Sequence, residues 1–181
     1  MNMDIESVLV SEEQLDTLTT QLAAKIDADY ANTGRSLVMV CILKGSVMFY
    51  VDLIKKIKRP VEMEFMKVSS YGAGAKSSGE IKISLDLNRD DLQDCDLLVV
   101  EDIVDSGRTL SRLTQLLKHR NAHSVRTCTL LDKPSRREVD FVPDFCGTAI
   151  PDEFVIGYGL DYAEKYRNLP FVGVLKREIY E

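Results

Sequence analysis

The residues best suited to chemistry lie in one stretch of the chain, LLVVEDIVDSGRTL, at positions 97–110. Glu101 and Asp102 are adjacent carboxylates that end an apolar run, and Asp105 opens the short polar loop that follows. Burying carboxylates at the end of an apolar strand is costly unless a ligand or partner meets them, so their density here indicates a site. The structural alternative is a strand followed by an ordinary helix cap, since Asp and Ser favour that position.

The loop that follows, Asp105-Ser106-Gly107-Arg108-Thr109, leads directly into a predicted helix. Its backbone N–H groups, the hydroxyls of Ser106 and Thr109, and the helix N-terminus together favour the binding of a phosphate group. Gly107 lets the backbone approach an anion closely or adopt a positive φ. Carboxylates beside a phosphate are chemically sensible when the ligand also carries ribose hydroxyls and a magnesium ion.

The net charge of the chain has the opposite sign to that of a general phosphate-binding protein. Its 181 residues are 45% hydrophobic and 29% charged, which is typical of a folded domain and not of a disordered chain. The 23 Lys and Arg against 29 Asp and Glu give a formal net charge of −6. Nonspecific DNA or RNA binding is therefore disfavoured, and an anionic ligand must be held by a local site.

Cysteine usage and the first residues predict the compartment. Four cysteines lie far apart without a C-x-x-C pair, which favours reduced thiols over zinc or disulfides (Cys41, Cys95, Cys128 and Cys146). The opening MNMDIESVLVSEEQ has neither the basic nor the apolar region of a signal peptide, and no apolar run approaches the ~20 residues of a membrane span. We expect a soluble, cytoplasmic protein with no membrane contact.

The elements that must position these residues follow from hydrophobic patterning. Continuous apolar runs at 36–43, 96–103 and 124–132 predict strands buried on both faces, as in a parallel sheet. Residues 61–68 alternate like a strand with one covered face, and 154–159 and 171–175 are shorter strand candidates.

Helices are predicted between these strands. The first begins at Ser11, where Gln14 completes a capping box, and ends before residues 32–34; its inward stripe is Leu15, Leu18, Leu22 and Ile26. A second covers 47–57 with Val47, Tyr50, Val51 and Ile54 inward, and a third follows Gly107 with Leu110, Leu113 and Leu117 on one face. Residues 161–168 also have a helix-like pattern, whereas 69–80 are small, polar and glycine-rich, which predicts a mobile loop.

This order of elements predicts an α/β fold with a mainly parallel twisted sheet flanked by helices. Ligands in such folds bind at the carboxyl ends of the strands, near a switch point of the sheet. The chemistry is therefore expected just after residues 43, 101 and 132.

The stretch VVEDIVDSGRTL resembles the phosphoribosyl pyrophosphate (PRPP) motif of type I phosphoribosyltransferases, with two acids, two apolar residues and then Asp-Ser/Thr-Gly-x-Thr. Three further stretches resemble the bacterial hypoxanthine(-guanine) branch of that family: LKGS at 43–46, LLDKPSRR at 130–137, and residues 143–170. The resemblance implies one phosphoribosyltransferase domain over 1–181, with a small hood formed by the terminal segments and a mobile active-site loop at about 69–80.

The resemblance also implies roles for the residues around PRPP. Glu101 and Asp102 would contact the ribose hydroxyls and organise Mg²⁺, and Asp105 would exchange a proton with N7 of the purine. The stretch Asp105–Thr109, with Ser106, Gly107 and Arg108 between, would bind the 5′-phosphate.

The remaining implied roles concern pyrophosphate, the base and the loop. Pyrophosphate would contact Arg167 and the turn Leu43-Lys44-Gly45, where this family often has a non-proline cis peptide. Asp161 would bind Mg²⁺. The purine would meet Lys133 at O6, the Phe154 ring, and the Val155 backbone, while Ser70 and Tyr71 belong to the closing loop. Each has a structural alternative: Phe154 as a core aromatic, Asp161 as a cap with Glu164, and the lysines and Arg167 as surface charges.

The resemblance thus predicts a magnesium-dependent enzyme of purine salvage. It would convert hypoxanthine and guanine with PRPP into IMP or GMP and pyrophosphate, and it would assemble as a homodimer or homotetramer. Lys133 donates to a 6-oxo group, so adenine should be rejected. A xanthine-preferring or uracil enzyme, a PRPP-sensing RNA-binding regulator on the same scaffold, and a generic Rossmann binder are the alternatives. The net charge disfavours the regulator, and no G-x-G-x-x-G follows a strand. Preference among the 6-oxopurines and control by nucleotides such as ppGpp stay open.

Overall fold

The structure, a computed structural model, describes residues 2–70 and 81–181. The strands are β1 (Ile5–Val10), β2 (Ser36–Ile42), β3 (Glu62–Ser70), β4 (Ile81–Leu85), β5 (Cys95–Val104), β6 (Ser124–Asp132), β7 (Phe145–Ala149), β8 (Val155–Ile156) and β9 (Val172–Leu175). The helices are α1 (Glu12–Tyr30), α2 (Val47–Lys56), α3 (Arg108–His119) and α4 (Arg177–Tyr180).

Six strands form the main sheet in the order β4-β3-β2-β5-β6-β7. All neighbours are parallel except β3 and β4, which are antiparallel. The central strands are buried on both faces, because Met39 and Cys41 of β2 pack with α1 and α2 while Val38 and Val40 pack with α3. The predicted α/β architecture with a mainly parallel sheet is confirmed, and β2, β5 and β6 match the three apolar runs within a residue or two.

A second, antiparallel sheet of β1, β9 and β8 forms the hood. It pairs β1, near the start of the chain, with β9, near its end. It has its own small core of Ile156, Leu169 and Leu175. The sequence patterns did not identify β1, β4 or β7. Each of these strands is short and lies at the edge of its sheet, so its apolar pattern is weak.

Helices α1, α2 and α3 follow their predicted bounds closely. Ser11 accepts from the Gln14 N–H at 3.2 Å and Gln14 Oε1 accepts from the Ser11 N–H at 2.8 Å, which confirms the capping box. The predicted inward face of α2 is wrong in part: its buried residues are Phe49, Tyr50 and Leu53, and Val51 is 42% exposed. No helix in the described ranges is long and apolar enough to cross a membrane.

The helix predicted over 161–168 is wrong. The segment instead forms turns with an isolated bridge between Tyr162 and Lys165, and Ala163, Glu164 and Tyr166 have positive φ. The Glu164 N–H donates to Asp161 Oδ2 at 2.9 Å, so the cap-like spacing closes a turn without starting a helix.

Candidate active site

The acidic strand β5 runs directly into the predicted phosphate loop. Gly107 is the N-cap of α3, with φ of 78° and no side-chain cap. A Cβ on Gly107 would lie 3.0 Å from Arg137 Cδ and 3.1 Å from Phe141 Cβ, so both conformation and space require glycine. Because Gly107 occupies the cap position, helix capping does not explain Asp105. Ser106 Oγ does accept from the Arg108 N–H, at 3.3 Å, at the start of α3.

A cavity of about 320 Å³ opens above this loop, and we call it the first cavity. It is lined by Glu101, Asp105, Ser106, Gly107 and Thr109 of the motif, together with Leu43 and Ser69 at the ends of neighbouring strands. This cavity therefore lies at the carboxyl ends of β2, β3 and β5, the edge of the sheet where the chemistry is expected.

Asp102 and Arg108, the other two motif residues, lie outside this lining. Asp102 is 9% exposed, and its Oδ1 accepts from the Ile103 N–H at 2.6 Å. A Cβ on Gly45 would lie 1.6 Å from Asp102 Oδ2, so the Asp102 carboxylate packs directly against the turn after β2. Arg108 points to solvent and pairs with Glu138 at 2.6 Å.

The two adjacent carboxylates are held in an environment that disfavours their charge. Burial raises the pKa of Glu101 well above its ordinary value, and the neighbouring Asp102 carboxylate adds to the effect. Burial also raises the pKa of Asp102, against hydrogen bonding that opposes it. Within the described residues, Glu101 Oε2 is buried with no hydrogen-bond partner. A divalent cation would satisfy that oxygen, so Glu101 and Asp102 fit a Mg²⁺ ion that takes its other ligands from substrate and water.

The predicted pyrophosphate residues lie around the turn that packs against Asp102. The Leu43–Lys44 peptide is cis, as the family resemblance implied. Lys44 Nζ lies 2.8 Å from Glu164 Oε2, and Arg167 Nη2 lies 2.7 Å from Asp161 Oδ1 and 3.5 Å from Glu164 Oε2. Glu164, which sequence patterns suggested only as a cap, thus bridges two cations.

Both carboxylate oxygens of Asp161 have partners, unlike Oε2 of Glu101. Its Oδ1 pairs with Arg167 and its Oδ2 accepts from the Glu164 N–H, and the described residues contain no group of three potential metal ligands from His, Cys, Asp or Glu. Metal binding by Asp161 stays a prediction.

A second cavity, of about 390 Å³, lies beside the first. Its lining includes Asp105, Lys133, Phe154 and Val155, with Asp152 and Tyr180. Lys133 is only 7% exposed, with Nζ 3.6 Å from Asp105 Oδ1 and 3.9 Å from Asp152 Oδ1. Burial excludes a solvated turn charge for Lys133. Asp105 and Ile103 line both cavities, so the carboxylate of Asp105 stands where the two meet.

Phe154 is 37% exposed, which excludes a simple core aromatic. Its ring stacks on Tyr180, with centroids 4.7 Å apart and planes at 21°, and meets Tyr162 edge-on at 5.6 Å. Sequence reasoning missed Tyr180 because nothing in the short end segment indicates that it folds back on residue 154. Asp152 lies within the recognised stretch 143–170, but the resemblance gave it no role.

The predicted loop residues are only partly described. Ser69 lines the first cavity near the end of β3, and Ser70 is the last residue of that strand. Tyr71, with the rest of the predicted loop through residue 80, lies outside the described residues.

Comparison with known proteins gives a consistent result. A family model described as the phosphoribosyl transferase domain matches residues 11–163. The hypoxanthine-guanine phosphoribosyltransferase of Bacillus subtilis is 50% identical over 181 residues, covering 100% of this chain and 99% of that protein. A structure of a hypoxanthine phosphoribosyltransferase from Staphylococcus aureus superposes with a TM-score of 0.94 at 47% identity, covering 100% of this chain and 97% of the other.

One similar protein is much longer. The bifunctional protein TilS/HprT of Listeria monocytogenes is 51% identical over 180 residues, which cover 99% of this chain. The chain spans only 27% of the length of that relative.

Proposed function

The chain belongs to the phosphoribosyltransferase family, in its hypoxanthine-guanine branch, and from this premise we propose that it acts in purine salvage. It transfers the 5-phosphoribosyl group of PRPP to hypoxanthine or guanine, giving IMP or GMP and pyrophosphate. The observation that carries the proposal is the position of Asp105, which lines both cavities and lies 3.6 Å from the buried Lys133.

In the proposed reaction, N9 of the purine forms a bond to C1 of ribose as the bond from C1 to pyrophosphate breaks. Asp105 accepts the proton that the purine loses at N7, while Lys133 donates a hydrogen bond to O6. Phe154 supports the ring by stacking, and the Val155 backbone contacts its edge. The two cavities therefore hold the two reactants on either side of one proton acceptor.

The charge that develops on the sugar is met by the acids of β5. Glu101 and Asp102 contact the ribose hydroxyls and hold Mg²⁺, with Asp161 as a further proposed ligand. When bound, Mg²⁺ neutralises the negative charge of pyrophosphate. The loop from Asp105 to Thr109 holds the 5′-phosphate, and Lys44, Gly45 and Arg167 hold the leaving pyrophosphate. Carboxylates near an oxocarbenium-like sugar stabilise the transition state more than the ground state.

The proposal also covers the domain organisation, the oligomeric state and the cellular location of the protein. We expect a single domain, assembled as a homodimer or homotetramer and acting in the cytoplasm, with the loop at about 69–80 closing over the reacting centre. Light scattering during size-exclusion chromatography measures the oligomeric state.

The direct test is an absorbance assay with PRPP and Mg²⁺ against hypoxanthine, guanine, xanthine, adenine and uracil in parallel. We expect conversion of hypoxanthine and guanine that a chelator abolishes. Dominant conversion of xanthine would replace the substrate assignment. No conversion of any base, with PRPP still bound, would contradict the enzyme and favour the RNA-binding regulator, which a filter-binding assay with RNA then tests.

Lys133→Met is expected to weaken discrimination between bases. The variant loses a charge-assisted hydrogen bond to O6, so kcat/KM for hypoxanthine should fall by about 10- to 100-fold. The kcat/KM for adenine, which has a hydrogen-bond donor at that position, should change little. Lys118→Met, on the exposed side of α3, is the matched control. An unchanged ratio of hypoxanthine to adenine turnover would remove Lys133 from the base site.

Glu101→Gln is expected to lower the activity and to raise the thermal stability of the metal-free protein. The variant replaces a buried carboxyl whose charged form burial disfavours and whose Oε2 has no hydrogen-bond partner among the described residues. The free energy of unfolding of the metal-free protein should therefore rise by ~1 kcal/mol, or its Tm by about 2–4 °C. Turnover should fall, and Mg²⁺ should raise Tm less than in the unmodified protein. Scanning calorimetry with and without Mg²⁺ measures this, with the exposed Glu6→Gln as control. A Glu101→Gln protein that responds fully to Mg²⁺ would refute the metal assignment.

A further inference from the structure

The segment that follows Lys133 returns along the back of the phosphate loop. The Lys133 N–H donates to the Val104 carbonyl at 2.9 Å, and five residues later the Glu138 N–H donates to the Ser106 carbonyl at 3.0 Å. The segment 133–138 is thus hydrogen-bonded to the main chain at both ends of Asp105. We call it the bracing segment.

Arg137 makes the central contact of the bracing segment. Its Nη1 donates to the Asp105 backbone carbonyl at 2.6 Å, and its Nη2 pairs with Asp132 at the end of β6. The side chains of Arg137 and Asp132 are 16% and 15% exposed, so the pair is largely shielded from solvent. A guanidinium can donate in two directions at once with a rigid geometry, which a lysine ammonium cannot reproduce.

The packing behind the loop is equally close. A Cβ placed on Gly107 would lie 3.0 Å from Arg137 Cδ, 3.1 Å from Phe141 Cβ and 3.3 Å from Val139 Cγ2. On the solvent side, Arg108 pairs with Glu138 at 2.6 Å. The loop therefore has its first cavity on one side and a wall made by residues 137–141 on the other.

We propose that Arg137 is a positioning residue for the 5′-phosphate site. Holding the Asp105 carbonyl from behind fixes the peptide planes of the loop, and so aims its N–H groups into the first cavity. Preorganised donors bind an anion better than donors that must be ordered on binding. The proposal deepens the proposed function and rests on it, since the phosphate in question is that of PRPP and of the nucleotide product.

The proposal predicts a specific loss that a general loss of stability would not produce. IMP and inosine differ only by the 5′-phosphate, so the ratio of the Kd for inosine to the Kd for IMP measures how well the loop binds phosphate. Arg137→Met should lower this ratio by at least about 10-fold, equivalent to ~1.4 kcal/mol. Arg137→Lys should lower it by a smaller factor, and the Kd for inosine should change little in either variant.

The test is isothermal titration calorimetry of IMP and inosine on the full chain, with Tm measured for each variant. Arg126→Lys is the matched control: Arg126 also joins two carboxylates, Asp29 and Asp144, but lies near the start of β6, away from both cavities. It should lose stability without changing the ratio. If Arg137→Met does not fold, Arg137→Lys decides the question.

Two results would overturn the inference, and they are distinguishable. An unchanged ratio in folded Arg137 variants, with tight IMP binding to the unmodified chain, would refute the positioning role alone. Failure of the unmodified chain to prefer IMP over inosine would refute the proposed function and the inference with it.

Discussion

Asp105→Asn is expected to lower kcat by about 10²- to 10⁴-fold, because the amide cannot accept the proton that the purine releases. Asp105 occupies the junction of the two cavities, and its carbonyl and main-chain neighbours already carry the contacts to Arg137 and Glu138. An amide side chain leaves those main-chain contacts in place. KM for PRPP should therefore change little, as expected for an interaction made in the transition state.

Steady-state kinetics with hypoxanthine and PRPP varied separately measures this result. The control is Asp90→Asn, an exposed carboxylate in the connection before β5, which should be indistinguishable from the unmodified protein. A folded Asp105→Asn enzyme with normal kcat would assign the proton transfer to another group.

Gly45→Ala is expected to lower kcat/KM for PRPP by about 100-fold or more, since an ångström of displacement at a reacting centre can cost that much. The added Cβ would lie 1.6 Å from Asp102 Oδ2 and 2.8 Å from Asp102 Cγ. Asp102 is buried and already bonded through Oδ1 to the Ile103 N–H, so it cannot move away freely. From the other side, a Cβ on Gly159 would lie 1.9 Å from the Gly45 carbonyl oxygen.

Gly34→Ala is the matched control for this substitution. Gly34 has φ of 66° with nothing within 4 Å of its Cβ position, so alanine there strains the backbone and lowers stability without reaching either cavity. Comparing both variants by thermal melting and by kinetics separates strain from displacement of Asp102. A Gly45→Ala enzyme with the normal KM for PRPP and normal kcat would mean that this close packing does not matter for catalysis.

Local patterns predicted the centre of the fold well and its periphery poorly. The runs at β2, β5 and β6 were recognisable because strands buried on both faces must be apolar throughout, and the Ser11–Gln14 box because its partners are three residues apart. The helix pattern at 161–168 failed because main-chain hydrogen bonds close turns there with positive φ. Tyr162 and Lys165 each donate to the other's carbonyl, and the Gly159 N–H donates to the Arg167 carbonyl at 2.9 Å.

Residue types and short-range spacing were enough to identify the motif at 101–109, the helix after it, and the acids that must be close to it. Tertiary structure decided which distant residues complete the site. Lys133 reaches Asp105 because parallel pairing of β5 and β6 places their carboxyl ends side by side, and Asp102 meets Gly45 because β2 lies on the other side of β5. Arg137 and Tyr180 have no local signal, because their roles depend on contacts across 32 residues to Asp105 and from α4 to Phe154. Such contacts are set by how whole elements pack, and no window of sequence contains both partners.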